Sequence, residues 1–235
     1  KIMQQLFENW RKYLKEEMKT LATLPENVFI EIIQDPSGNL PYSGGEIAYT
    51  ITLFDGKERF GSCTVEEIER EQLGDGFFSD GDVVFDDRFA LEDGLEAEGR
   101  VQELYDCEDE WFDVFEKLYT LHISVDDDLV NRGYGPLLID LAMELATRDG
   151  RWIIAPNIAH FGTTVTDDAR KVMEYYFNKR TDVKKIAINL KCWQFFSGIN
   201  IEEEFGNLPN ALLHLYKKTP TILYSEEAKR KIKFS

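Results

Sequence analysis

Asn131-Arg132-Gly133-Tyr134-Gly135-Pro136 has the composition of a turn that holds an anion. Two glycines let the backbone take positive φ without a Cβ clash, so several N–H groups can converge on one phosphate. A helix starting behind them adds the positive end of its dipole. The pattern is neither GxxxxGK[ST] nor GxGxxG with a ribose-binding acid downstream, which excludes a P-loop and a dinucleotide fingerprint. A plain, tight strand-to-helix connection is the alternative use of the same residues. Candidates for proton transfer stand just before the turn. His122 has the one side chain whose ordinary pKa suits a base near neutrality, and Glu116 begins the same stretch. No Ser-His-Asp spacing and no Cys-His pairing supports nucleophilic hydrolysis. No basic stripe supports direct binding of nucleic acid.

Such a turn needs a strand before it and a helix after it. From Lys117 to Val125, residues Leu118, Thr120, His122 and Ser124 alternate with Tyr119, Leu121, Ile123 and Val125, the period of a strand. Asp126 to Asp128 end it. Pro136 suits a first helical position, where its missing N–H is not needed. Leu137, Leu138, Leu141, Ala142 and Leu145 then mark one helical face. Arg148 in the last turn and Gly150 at C′ close the helix near 149.

Strand, turn and helix together resemble motif A of the GCN5-related N-acetyltransferases (GNAT), Q/R-x-x-G-x-G/A, aligned here as Val130-Asn131-Arg132-Gly133-Tyr134-Gly135. The resemblance implies an α+β, three-layer fold: a mixed, centrally splayed sheet flanked by helices. It implies that Asn131, Arg132, Gly133, Tyr134 and Gly135 wrap the pyrophosphate of acetyl-CoA, while the strand around Ile123 and Val125 hydrogen-bonds the pantetheine arm. The chemistry implied is transfer of an acetyl group to an amine. A base (His122 or Glu116) takes the amine proton, a backbone N–H steadies the oxyanion, and an acid returns a proton to the thiolate. In this family the acid is often a tyrosine four residues after an alanine on the helix that follows the fifth strand. Met173 stands four residues after Ala169, so the nearby Tyr175 is the candidate acid and Tyr176 is assigned to core packing. Val130, in place of a polar residue, and Pro136, which removes one amide, also depart from the pattern.

The remaining chain extends the same order. Val28–Gln34, Glu46–Phe54 and Arg59–Val65 read as strands, with Asp55-Gly56 a hairpin turn and a helix-like stretch at Glu66–Leu73. The family usually places two helices between its first two strands, and Asp35–Gly45 is too short for them. Trp152–Ala155 reads as a strand, Asp167–Arg180 as a helix capped by Thr166, and Ile186–Leu190 as a further strand. His160, after the fifth strand, is placed to line the cleft. Residues 117–220 also resemble a group of tailed-phage proteins with a core of this kind. Three divisions follow: an amphipathic N-terminal helix (1–24), the domain (25–190), and an extension packed on it (191–235).

The net charge of −17 belongs to one segment: residues 66–116 hold 20 Asp or Glu against three Arg, so the rest of the chain is neutral. Phenylalanines and Trp111 within this insertion argue against pure disorder. Its Asp-rich turns do not match the calcium loop, and no metal is expected. Cys63, Cys107 and Cys192 lie far apart without metal spacing, so reduced thiols are expected. No secretory signal peptide and no apolar run of eighteen residues are visible, so neither export nor a membrane is expected, and the setting read is cytoplasmic or, for a phage protein, the virion. Two functions fit: an acetyl-CoA-dependent N-acetyltransferase acting on a basic amine or protein attracted by the acidic segment, or an inactive GNAT-fold phage protein with a structural or host-directed binding role. An acidic imitation of DNA on the same face is the third.

Overall fold

The computed structural model describes residues 19–34, 47–68, 102, 105–107, 118–126, 132–155, 165–197, 206 and 208–235. The architecture is α+β. Eight strands form one mixed sheet: β1 (Val28–Gln34), β2 (Ile47–Asp55), β3 (Glu58–Glu67), β4 (Leu118–Val125), β5 (Trp152–Ile153), β6 (Val183–Ala187), β7 (His214–Lys218) and β8 (Ile232–Phe234). Their spatial order is β6-β7-β5-β4-β3-β2-β1-β8. Neighbours run antiparallel except β4 with β5 and β1 with β8, which are parallel. The α-helices α1 (Tyr134–Arg148), α2 (Asp167–Lys179), α3 (Leu190–Ser197) and α4 (Glu226–Lys231) accompany it among the described residues.

The first four strands follow from their alternation. In β1 the residues Val28, Ile30 and Ile32 are buried while those between are not. The β2–β3 hairpin turns at Asp55-Gly56, where Gly56 takes φ of 61°, a conformation only glycine adopts without strain. Successive side chains of a strand point to opposite faces. Ile30, Ile51, Leu53, Cys63, Val65, Tyr119 and Leu121 therefore share the face packed by Leu137, Leu138, Leu141, Ala142 and Leu145 of α1, in one buried cluster. The second face carries Thr50, Thr52, Ser62, Thr64, Glu66, Thr120, His122 and Ser124, as the pairings of β2, β3 and β4 require. At its β5–β7 end this face holds Leu118, Trp152, Ile154 and Leu215, all buried.

Several expectations need correction. Glu66 and Glu67 continue β3 and do not start a helix, because the ladder to β4 runs on through Glu67↔Tyr119. The strand expected at 186–190 lies at Val183–Ala187. Residues 191–235, read as an extension, supply β7, which stands between β5 and β6, and β8, which edges β1. Leu21–Thr23 is a short 3-10 turn; residues 1–18 of the expected N-terminal helix lie outside the described residues, as does nearly all of the acidic insertion. Cys107 and Cys192 are not reduced thiols but a disulfide, their Cα atoms 5.3 Å apart: folding brings together what sequence separates. Cys63 is free and buried, and burial, with Glu66 close by, pushes its thiol far above the usual range. Among the described residues no helix is long and apolar enough to cross a membrane.

Candidate functional site

The glycine turn sits where strand direction and helix dipole meet. Gly133 is the N-cap of α1 and takes φ of 81°, which a side chain would strain. Tyr134 and Gly135 are the first helical residues, so their N–H groups have no partner inside the helix, and Pro136 has none to offer. A Cβ built on Gly135 would meet nothing within 4 Å, so this stretch of backbone is open to close approach. Arg132 is exposed beside it. The Tyr134 ring is buried edge-on against Phe60, centroids 5.0 Å apart. Lys19 joins from far away in sequence: its amide donates to Gly133 O at 3.3 Å and its ammonium lies 6.0 Å from the Tyr134 ring. Asn131 lies outside the described residues.

A buried cluster fixes the first turn of α1 from behind. The Tyr176 hydroxyl donates to Asp140 Oδ1 at 2.6 Å and stands 2.9 Å from Pro136 O. Arg180 donates to Asp140 Oδ2 at 3.1 Å and to both oxygens of Asp182 at 2.7 Å. Burial raises the Asp140 carboxyl above its usual range, against the pull of the Arg180 guanidinium and the Tyr176 hydroxyl. The helical spacing of Tyr176 with Val172 correctly indicated packing; the polar partners of its hydroxyl were not readable.

The second component is the free-running end of β4. Its pairing with β5 covers Leu118↔Trp152 and Tyr119↔Ile153, followed by Ile154 N to Tyr119 O at 2.9 Å and Thr120 Oγ1 to Ile154 O at 3.5 Å. Beyond it β4 continues to Val125 with β3 as its partner among the described residues. Burial changes at the same point: Leu118 to Leu121 are buried, His122 to Ser124 exposed, and Ile123 shows 38% of its surface. Val125, half-buried, ends the strand against Gly61, where a Cβ would come within 3.4 Å of the Ser124 carbonyl oxygen. Ile123 and Val125 thus stand on the stretch of β4 beyond its described pairing with β5.

His122 stands on this stretch, its Nε2 at 3.2 Å from Glu66 Oε2. The hydrogen bond to Glu66 holds the imidazole above histidine's usual range, against partial burial. Glu66 was not singled out from sequence, because the helix expected at 66–73 hid its place on a strand. Only a β3 carried two residues further would have put it beside His122. Tyr175 lies on α2, edge-on to Tyr176 with centroids 6.0 Å apart. No described contact joins it to His122 or to the glycine turn. Glu116 and His160 lie outside the described residues. The described residues here are an exposed imidazole on a buried carboxylate, the exposed end of β4 and a helix N-terminus with glycine at its first positions. Comparison of the chain with protein-family models, with curated proteins and with solved structures finds no match.

Proposed function

We propose that the chain is an acetyl-CoA-dependent N-acetyltransferase-type protein of GNAT-like fold, acting on a basic amine or protein. One observation carries the reading: β4 runs on past its two described register pairs with parallel β5 into an exposed stretch at His122–Ser124, and the helix following β4 begins at a left-handed glycine. That combination suits a long, phosphate-bearing carrier, with a flexible arm laid along a strand edge and its phosphates against helix amides. The open space at Gly135 supports the fit. Arg132 and the backbone of Gly133, Tyr134 and Gly135 would hold the pyrophosphate, and the edge of β4 at Ile123 and Val125 the pantetheine arm. Bound there, acetyl-CoA supplies an acyl group already activated as a thioester. His122 would accept the amine proton, and Tyr175 is the proposed acid. The second reading, a GNAT-fold phage protein without catalysis, draws on Pro136, which stands buried in the first turn of α1 with no N–H.

Calorimetry with acetyl-CoA tests the site. The expected dissociation constant is on the order of micromolar to tens of micromolar, within the range of enzyme–substrate affinities. Gly133→Glu abolishes it. Gly135→Glu does the same without backbone strain, because its side chain has space while its charge repels phosphate. Absence of heat at about 1 mM acetyl-CoA, the upper end of that range, would sink the enzyme reading and turn attention to the acidic segment as a binding surface.

A further inference from the structure

Glu66 and His122 stand on the second face of the sheet, on adjacent strands and out of register: Thr64 lies opposite His122, and Glu66 opposite Thr120. Their exposures differ sharply, 7% for the Glu66 side chain and 41% for the imidazole. A carboxylate withdrawn from water carries a large desolvation penalty unless donors offset it. An imidazole at 3.2 Å supplies one, and the lower exposure of the pair strengthens the attraction. We propose that Glu66 is a positioning residue for His122: its buried carboxylate anchors the ring by Nε2 and holds the imidazole on the exposed stretch of β4 that follows the described pairing with β5.

The use of this anchor in proton transfer rests on the acetyltransferase reading; the pairing itself does not. If the Nε2 proton faces the carboxylate, the lone pair of the neutral ring lies on Nδ1. To that face β2 presents Thr50 and Thr52, and β3 presents Ser62, Thr64 and Glu66. The Arg59 guanidinium, bonded to Ser62 Oγ at 2.6 Å, is the described cation there and acts against protonation of the ring. Glu66 acts for it.

Nitrogen–proton NMR of the full chain reads this directly, with His122→Gln identifying the signal among three histidines. Glu66→Gln is expected to lower the midpoint of the His122 titration, and Glu66→Asp to retain part of the difference. In an amine-acetylation assay Glu66→Gln lowers kcat about tenfold to a hundredfold with KM for acetyl-CoA unchanged. An unshifted midpoint in Glu66→Gln would overturn the proposal. Should that variant fail to fold, wild-type protein decides: an Nε2 proton exchanging with water as fast as in free imidazole would overturn it equally. A shifted midpoint in a protein that transfers no acetyl group leaves the anchor standing and removes the acetyltransferase reading.

Discussion

Glu144 has no exposed surface, yet it is charged. Its carboxylate accepts from the Lys218 ammonium, from Thr221 Oγ1 at 3.1 Å, and from the amides of Ile222 at 3.0 Å and Leu223 at 2.9 Å. Burial alone would raise its pKa, but the two amides and Lys218 outweigh that and hold it below the ordinary 4.5. The sign follows from linkage. A carboxyl depressed in the folded state adds stability that is complete above its unfolded value, and loses it as pH falls through the folded one. Glu144→Gln should therefore flatten the acid side of the stability profile, as urea melts between about pH 3 and pH 6, bracketing that value, would record. Lys218→Met leaves the carboxylate buried without its cation and should cost about 3 kcal/mol, the low end for a broken buried pair because the amides remain. Unchanged melts in both variants would mean the carboxylate is hydrated. At the same scale Glu66 and His122 repeat the lesson. A buried Glu or Lys becomes intelligible only through a partner, and Glu144 lies 74 residues from Lys218.

At the scale of elements, the two glycines of the turn differ in kind. Gly133 at φ of 81° is required by backbone; Gly135 is helical, and a Cβ there would meet nothing within 4 Å among the described residues, so the backbone does not require it. Gly133→Ala should lower stability by about 1–2 kcal/mol. Gly135→Ala should raise it by about 1 kcal/mol, since alanine favours a helix over glycine, while weakening acetyl-CoA binding by placing a methyl over the bare amides. Calorimetric melting and binding on the same two proteins check both halves. Equal destabilisation by the two would refute the distinction. The elements legible in sequence were those whose own pattern carried them: alternation in β1 to β4, the apolar face of α1, the Thr166 cap of α2. That hydroxyl does accept from the Ala169 amide, at 3.2 Å. β7 escaped because Lys218, one of its buried residues, reads as a solvent residue until Glu144 is set beside it. β8 and α4 escaped for another reason. α4 is polar except for its buried Ala228, and its Lys231 donates to the carbonyls of Pro25, Glu26 and Val28 at 2.6, 3.0 and 3.1 Å, a contact with no local signature.

At the scale of the whole molecule, one covalent link joins the helical residues 105–107 to α3. Cys107–Cys192 closes a loop of 85 residues, and Asp106 and Lys191 pair alongside at 3.1 Å. Replacing both cysteines by serine should cost roughly 2–5 kcal/mol. Titration of thiols in denatured, unreduced protein should find one, Cys63, and three after reduction. Three without reduction would refute the link. The sheet itself sets a schedule. β1 is complete at residue 34, but the strand along its outer edge, β8, comes about two hundred residues later, at Ile30↔Ile232. At ribosomal speeds of about 5–20 residues per second, β1 therefore travels with a bare edge for roughly 10–40 s. Such an edge is a template for another chain, and crowded polysomes supply other chains in quantity. Slower initiation, by spacing the nascent chains, and a chaperone that covers that edge are then the conditions under which this protein reaches its folded yield.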